Sequence, residues 1–389
     1  MELLETNITD IDDNRKRITG LVQYNDGETE EYWYEYPAEF NISETGNPWL
    51  VALLPVAAYL GEDLTISLPI DPKLMDATED VLSIWSEWWG DYTSKVSIIA
   101  KNGTSVIEQT PDEEAALFSS GVDAFYTAYR KKRVQYKILI HGFDFSVDKI
   151  EEFNIHRSRI ERIVDEMGQT LILVASNYRK TRIKETNWER FSHGPFLASV
   201  ALLFEKHFSC VYFPGNFGSV FTARPFGSNP LFDPLNSTTR LNIIGDGNGV
   251  TRFEKLQYFK QFDLALKNLH VCIRGRDGTG QDEKNCCNCH KCYMTMISLE
   301  LAGVLDKCLL FDKEKFDMSK IKYAYVEGSD NINEYRTMEK AAIELGRHDI
   351  ASGIRKCLRR SKLLLWSRRF DKTPIFWRIP QYLMKNTIY

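Results

Sequence analysis

The sequence predicts an α/β protein whose central domain is a doubly wound parallel sheet, preceded by an α+β domain and followed by a helical region. Three observations carry this reading. From residue 115 onward, short apolar runs alternate with helical segments, the pattern of strands joined by crossover helices. Before it, a Tyr- and Trp-rich alternating stretch breaks at a turn, which suggests a hairpin. After it, four cysteines are spaced C-x13-C-x2-C-x2-C. With 389 residues and 43% hydrophobic content the chain is ample for a buried core.

Residues 18 to 42 alternate and are rich in Tyr, Trp, Glu and Thr, with Asn25-Asp26-Gly27 as the turn. Asn47 to Leu60 and Pro72 to Trp89 read as helices and Lys95 to Ala100 as a strand, so an α+β domain is expected over 1–112. The longest apolar segment, Trp49 to Leu60, has 12 residues and contains Pro55. That is too short to span a bilayer. The acidic N-terminus shows neither secretory signal nor transit peptide, and cysteine usage fits a reducing compartment, so a cytoplasmic location is expected.

In the second region, 113–312, strands are expected at Ala115 to Phe118, Lys137 to His141, Thr170 to Ser176, Cys210 to Phe213 and Leu241 to Ile244. Helices are expected between them, at Val122 to Lys132, Val147 to Met167 and Gly194 to His207. In such sheets ligands bind beyond the carboxyl ends of the strands. The first of those ends reads Leu117-Phe118-Ser119-Ser120-Gly121-Val122-Asp123, a small-residue turn into a helix. Backbone N–H groups there, with the positive end of the helix dipole behind them, can cradle a phosphate. On these residues alone an ordinary tight turn is the plainer reading.

Cys272, Cys286, Cys289 and Cys292 suit one tetrahedral zinc, because each C-x2-C turn lets two sulfurs converge while Cys272 closes the fourth vertex. An all-thiolate shell leaves no open position, so its role is structural. Cys287 and His290 stand close enough in sequence to replace one of the four. Cys210, Cys308 and Cys357 read as packed thiols.

Charge is unevenly spread. Residues 1 to 114 carry 24 acidic and 6 basic side chains, although the whole chain has a net charge of −5. The third region, 313–389, ends in a basic stretch: Ala351 to Tyr389 holds ten Lys or Arg and one acid, Asp371, among Trp366, Phe370, Phe376, Trp377 and Tyr382. Such a tail suits an acidic protein partner, RNA or an anionic membrane surface, or packs on the acidic part of its own chain.

Residues 118 to 125 resemble the PP-loop of the N-type ATP pyrophosphatases, F-S-G-G-V-D-S-F, and the cysteine cluster is similar to the zinc site of the 7-cyano-7-deazaguanine synthases in that superfamily. The resemblance covers most of 115–312. A closer one is to bacterial synthase-like proteins found near surface-polysaccharide genes. It is carried by Ile140-His141-Gly142-Phe143-Asp144, His193-Gly194, Gly227 to Pro234, Asp246-Gly247 and Thr251-Arg252-Phe253-Glu254-Lys255.

The resemblance implies an adenine nucleotide alpha hydrolase-like fold and an ATP-dependent ligase or amidotransferase that adenylates a carboxylate, small-molecule or protein-terminal, and releases pyrophosphate and then AMP. It implies ATP, Mg²⁺ and Zn²⁺ as cofactors. Ser119, Ser120, Gly121, Val122, Asp123 and His141 would hold the nucleotide, with Asp123 positioning Mg²⁺. Asp123, Arg252 and Lys255 would act in catalysis, although from spacing alone Arg252 and Lys255 read as a solvated basic face. His141 also reads as a structural histidine. Asp144 and Asp233 are further candidates that can equally cap a helix or turn.

Two positions depart from the family pattern. Ser120 stands where it places a glycine, and Ala124 where it places a hydroxyl residue. A Cβ at position 120 meets a backbone that calls for positive φ or close approach to pyrophosphate. Other readings are a zinc-stabilised nucleotide-binding pseudoenzyme acting through a partner and an RNA-modifying PP-loop protein. A homo-oligomer is compatible with each.

Overall fold

The computed structural model describes residues 1–106, 111–215, 225–272, 284–368 and 388. Most of the basic tail, 369–387 and 389, lies outside the described residues. Two compact units emerge, one formed by 1–119, 130–215 and 224–246, the other by 120–129, 216–223 and 247–389.

The first unit holds a ten-stranded sheet: β1 (Glu2–Asp12), β2 (Arg15–Gln23), β3 (Thr29–Pro37), β4 (Leu64–Ile66), β5 (Ile98–Ala100), β6 (Glu113–Leu117), β7 (Tyr136–His141), β8 (Thr170–Ser176), β9 (Phe208–Pro214) and β10 (Asn242–Asp246). Its order is β10-β9-β6-β7-β8-β3-β2-β1-β4-β5. The five strands from β10 to β8 are mutually parallel. Their order reverses at β6, which pairs with β7 on one side and β9 on the other. A strand at which the order reverses is where an open parallel sheet leaves a crevice beyond its carboxyl end.

The boundary expected at residue 112 falls inside this sheet. β3 pairs antiparallel with β8 through Tyr34↔Ser176 and Glu35↔Ala175, so the acidic N-terminal strands extend the parallel block. β1, β2 and β3 form an antiparallel meander. Its inward side chains, Ile18, Val22, Tyr32, Tyr34 and Tyr36, share one hydrophobic cluster with Ile138, Ile140, Ile172 and Val174 of the parallel strands. Burial on this scale, at about 25 cal/mol per Å² of apolar surface, is what welds the two halves.

Helices α1 (Asn47–Leu60) and α5 (His193–Leu203) cover that cluster with Trp49, Leu50, Leu53, Phe196 and Val200. α1 begins with Pro48 in its first turn, where the missing N–H costs nothing. α2 (Pro72–Trp89) starts the same way, and the Asp71 side chain accepts from the Lys73 N–H as its N-cap. α4 (Ile150–Glu166) buries Phe153, Ile160, Ile163 and Val164, none of which belongs to that cluster, and packs on β7 and β8.

The second unit is helical in its described part. It contains nearly all of α3 (Val122–Arg130) and then α6 (Arg252–Phe259), α7 (Asp263–Asn268), α8 (His290–Leu301), α9 (Ser329–Glu344) and α10 (His348–Arg368). Tyr293, Met294, Ile297, Tyr335, Met338, Ile350 and Ile354 make its core. Among the described residues, no helix is long and apolar enough to cross a membrane.

Candidate metal centre and charged cluster

Four sulfurs meet in the second unit. Donor atoms of Cys272, Cys286, Cys289 and Cys292 all lie within 4.8 Å of one another. Cys289 is the N-cap residue of α8 and Cys292 sits in its first turn, so one helix start delivers two sulfurs to one side. The Cys286 and Cys292 Sγ atoms are 3.7 Å apart. A tetrahedron with metal–sulfur bonds of about 2.3 Å has an edge of about 3.8 Å, so the residues present fit zinc.

Neighbouring thiols also oppose one another's ionisation. The contact with Cys272 is the main reason Cys289 is pushed up to about 12, and Cys272 followed by Cys289 pushes Cys292 up as well. A divalent cation reverses that balance, because it binds the thiolate.

Asn285 holds the two arms of this site together. Its Oδ1 accepts from the N–H groups of Val271, at 2.8 Å, and Cys272, at 3.1 Å. Its Nδ2 donates to the carbonyls of Leu269, at 2.9 Å, and Leu310, at 3.2 Å. The remote ligand Cys272 is thereby tied to the residue preceding Cys286. The neighbouring Cys287, at φ 57°, turns away: its thiol donates to the Asn285 carbonyl and accepts from the Asp312 N–H. His290 is likewise outside the cluster, its ring stacked against Tyr335 at 5.7 Å. Spacing alone left both as possible ligands, and neither joins the four.

The same unit contains a buried charge cluster. Lys255 Nζ donates to Asp123 Oδ1 at 2.6 Å, and Arg252 Nε to Asp123 Oδ2 at 3.2 Å. The Lys255 side chain is 0% exposed, so the two cations do not form a solvated face. Burial alone would raise the Asp123 carboxyl, but Lys255 and Arg252 together outweigh it and hold it below the usual carboxylate range. Asp123 raises Arg252 in turn. Each carboxylate oxygen is engaged by one cation and keeps a further lone pair.

α6 is aimed at Asp123 by its own start. Thr251 and Glu254 form a capping box. The next N–H groups, of Arg252 and Phe253, donate to the two oxygens of Glu334 at 2.6 Å and 3.3 Å. Glu334 is pushed up chiefly by burial. Pattern reading missed it, although the sequence carried one signal: Glu334 shares the stripe of Tyr335, Met338 and Ala342, an acid on the apolar side of α9.

The turn before α3 has an unusual backbone. Ser120 lies at φ 57°, in the left-handed region that L residues avoid at a cost of about 1 to 2 kcal/mol. Its side chain is fully buried, and Oγ has no hydrogen-bond partner among the described residues. Its carbonyl accepts from the His270 N–H, and the Gly121 carbonyl from the Phe125 N–H that opens α3. Val122 is buried. Ser119 ends the preceding segment of the first unit. In the ligand-free protein, Ser120→Gly is expected to raise stability by about 1 kcal/mol in urea unfolding, since it removes both the strain and an unsatisfied hydroxyl. An unchanged or lower midpoint would show that the serine is not strained there.

Other sequence candidates have packing partners in the first unit. His141 stacks on Phe153 at 4.0 Å and 6°, and its Nε2 lies 3.2 Å from the Ser146 carbonyl. Asp233 accepts from the Asn229 N–H at 3.0 Å and the Ser228 hydroxyl at 2.7 Å, locking a turn, and burial pushes its carboxyl up to about 7. Asp144 is half-buried. Gly194 must be glycine, because a Cβ there would lie 1.8 Å from the Gly227 carbonyl oxygen. The His193-Gly194 and Gly227 to Pro234 segments are thus two sides of one close contact.

No family model, curated protein or solved structure matches this chain.

Proposed function

We propose that this protein is an ATP-dependent adenylating ligase of the PP-loop type, with the adenine nucleotide alpha hydrolase-like fold and a zinc ion bound by Cys272, Cys286, Cys289 and Cys292. The observation that carries the reading is the positive φ at position 120, where the PP-loop pattern places a glycine. The backbone there is left-handed, immediately before a helix whose Asp123 is locked to Arg252 and Lys255.

In this reading the N–H groups of Gly121, Val122 and Asp123 receive the pyrophosphate portion of ATP. Lys255 and Arg252 stabilise the charge that grows as the bond to the α-phosphorus breaks. A substrate carboxylate oxygen attacks that phosphorus, pyrophosphate leaves, and an amine or ammonia then displaces AMP from the acyl-adenylate. Asp123 acts by orienting the two cations, and Mg²⁺ enters only as the ion that accompanies ATP. Zinc supplies a rigid cross-link. The reaction would belong to a soluble cytoplasmic enzyme, and its carboxylate is a small molecule or a protein terminus.

A second reading, a nucleotide-binding pseudoenzyme, is favoured by the Cβ of Ser120 in the turn and by the engagement of both Asp123 oxygens. Calorimetric titration of the metal-loaded protein with a nonhydrolysable ATP analogue and Mg²⁺, beside Lys255→Met, separates the possibilities when joined to an AMP assay with carboxylates and ammonia. Saturable binding weakened at least about tenfold in the variant, with AMP release, is the result expected for the ligase. Binding without AMP supports the pseudoenzyme. No binding to the folded protein sinks both.

A further inference from the structure

α10 is divided along its length. Ile350, Ile354, Cys357, Ser361 and Leu364 are buried, the first three of them in the core of the second unit. The opposite side exposes Arg355, Lys356, Arg359 and Lys362. Two large apolar side chains share it: Leu363 is 54% exposed and Trp366 is 48% exposed. Positions 355, 359, 362, 363 and 366 fall on one side of a helix with 3.6 residues per turn. Arg355 also pairs with Glu339 of α9 at 2.8 Å, which fixes one end of the stripe.

The sequence beyond α10 continues the same chemistry. Residues 369 to 387 contain Arg369, Lys372, Arg378 and Lys385 against the single acid Asp371, with Phe370, Phe376, Trp377 and Tyr382 among them. At Ile388 the chain is again part of the second unit, its N–H donating to the Tyr323 carbonyl and its carbonyl accepting from the Tyr325 N–H.

We infer that the exposed side of α10 docks on an anionic phospholipid surface. Cations on a helix face remain at the headgroups while adjacent Leu and Trp enter the acyl boundary, and the binding gains from both. The charge complementarity is local, since the chain as a whole is net negative. An aliphatic side chain exposed among the cations decides between polyanions. Leu363 gains nothing against the phosphates of a nucleic acid, whereas a bilayer buries it. The helix lies on the membrane and does not span it.

The test is co-sedimentation of the full-length protein with vesicles of phosphatidylcholine alone or with about a third phosphatidylglycerol. Partitioning is expected to be at least about tenfold stronger on the anionic vesicles and to collapse in high salt. Arg359→Glu with Lys362→Glu should remove the preference. Leu363→Ser should weaken binding several-fold while leaving circular dichroism unchanged, because Leu363 is 54% exposed. Equal partitioning to both vesicles overturns the inference, as does unaltered binding by Leu363→Ser. Absence of vesicle binding together with saturable, salt-sensitive binding of single-stranded RNA would overturn it in favour of nucleic acid.

Discussion

Cys292→Ser is expected to leave the protein with less than about a tenth of its zinc and to lower its stability by about 4 kcal/mol or more, measured as metal per chain and as a urea midpoint. Cys292 is fully buried in the first turn of α8, 3.7 Å from Cys286. A serine hydroxyl is a poor zinc ligand, and the other three cysteines would then lie together without the cation that stabilises their thiolates. Cys287→Ser is the control. It removes a thiol that bonds Asn285 and Asp312 and should retain the metal. A Cys292→Ser protein with its metal and midpoint unchanged would dismiss the four-thiol site.

Asp123→Ala is expected to destabilise the protein by about 3 to 5 kcal/mol, because it leaves the fully buried Lys255 ammonium without that counter-charge. Asp123→Asn, which keeps the shape and one acceptor, and Lys255→Met, which removes the buried cation, should each cost less. The effect has a pH signature. The Asp123 carboxyl is held below its ordinary value, so its contribution is fully present above about pH 4 and is lost as pH falls through the depressed value. Urea unfolding from acid to neutral pH should therefore show the Asp123→Ala deficit closing at low pH. A deficit that is constant across the range would mean that Asp123 is not held as the charged partner of Lys255 and Arg252.

The legible parts of the fold were those that depend on local chemistry. α1 and α2 run from Asn47 to Leu60 and from Pro72 to Trp89 as their prolines and apolar spacing indicate. β6 to β10 fall within a few residues of the apolar runs that predicted them. β1 was not recognised, since most of Glu2–Asp12 is polar and exposed, and only pairing with β2 makes it a strand. The acidic N-terminal strands join the parallel block through two residue pairs between β3 and β8 and through the hydrophobic cluster they share, and no local pattern encodes either.

The candidate site divides the same way. The four cysteines were legible because chain spacing sets their geometry. Asp123, Arg252 and Lys255 were each named, but the burial of Lys255 depends on a partner 132 residues away, so spacing alone read it as solvated. Asn285 adjoins the cysteines in sequence, but its four bonds go to backbone groups of Leu269, Val271, Cys272 and Leu310, and residue spacing carries no sign of them.

The facing of side chains along β6 depends on its residue count. Ala115 and Leu117 point into one hydrophobic cluster and Ala116 into another, and β7 and β9 hold that alternation from both sides. An insertion or deletion of one residue in this strand would send Leu117 to the wrong cluster or shift Ser120 out of its turn. The pleat therefore ties the length of β6 to its neighbours: a change of two residues keeps the alternation, and a change of one inverts it.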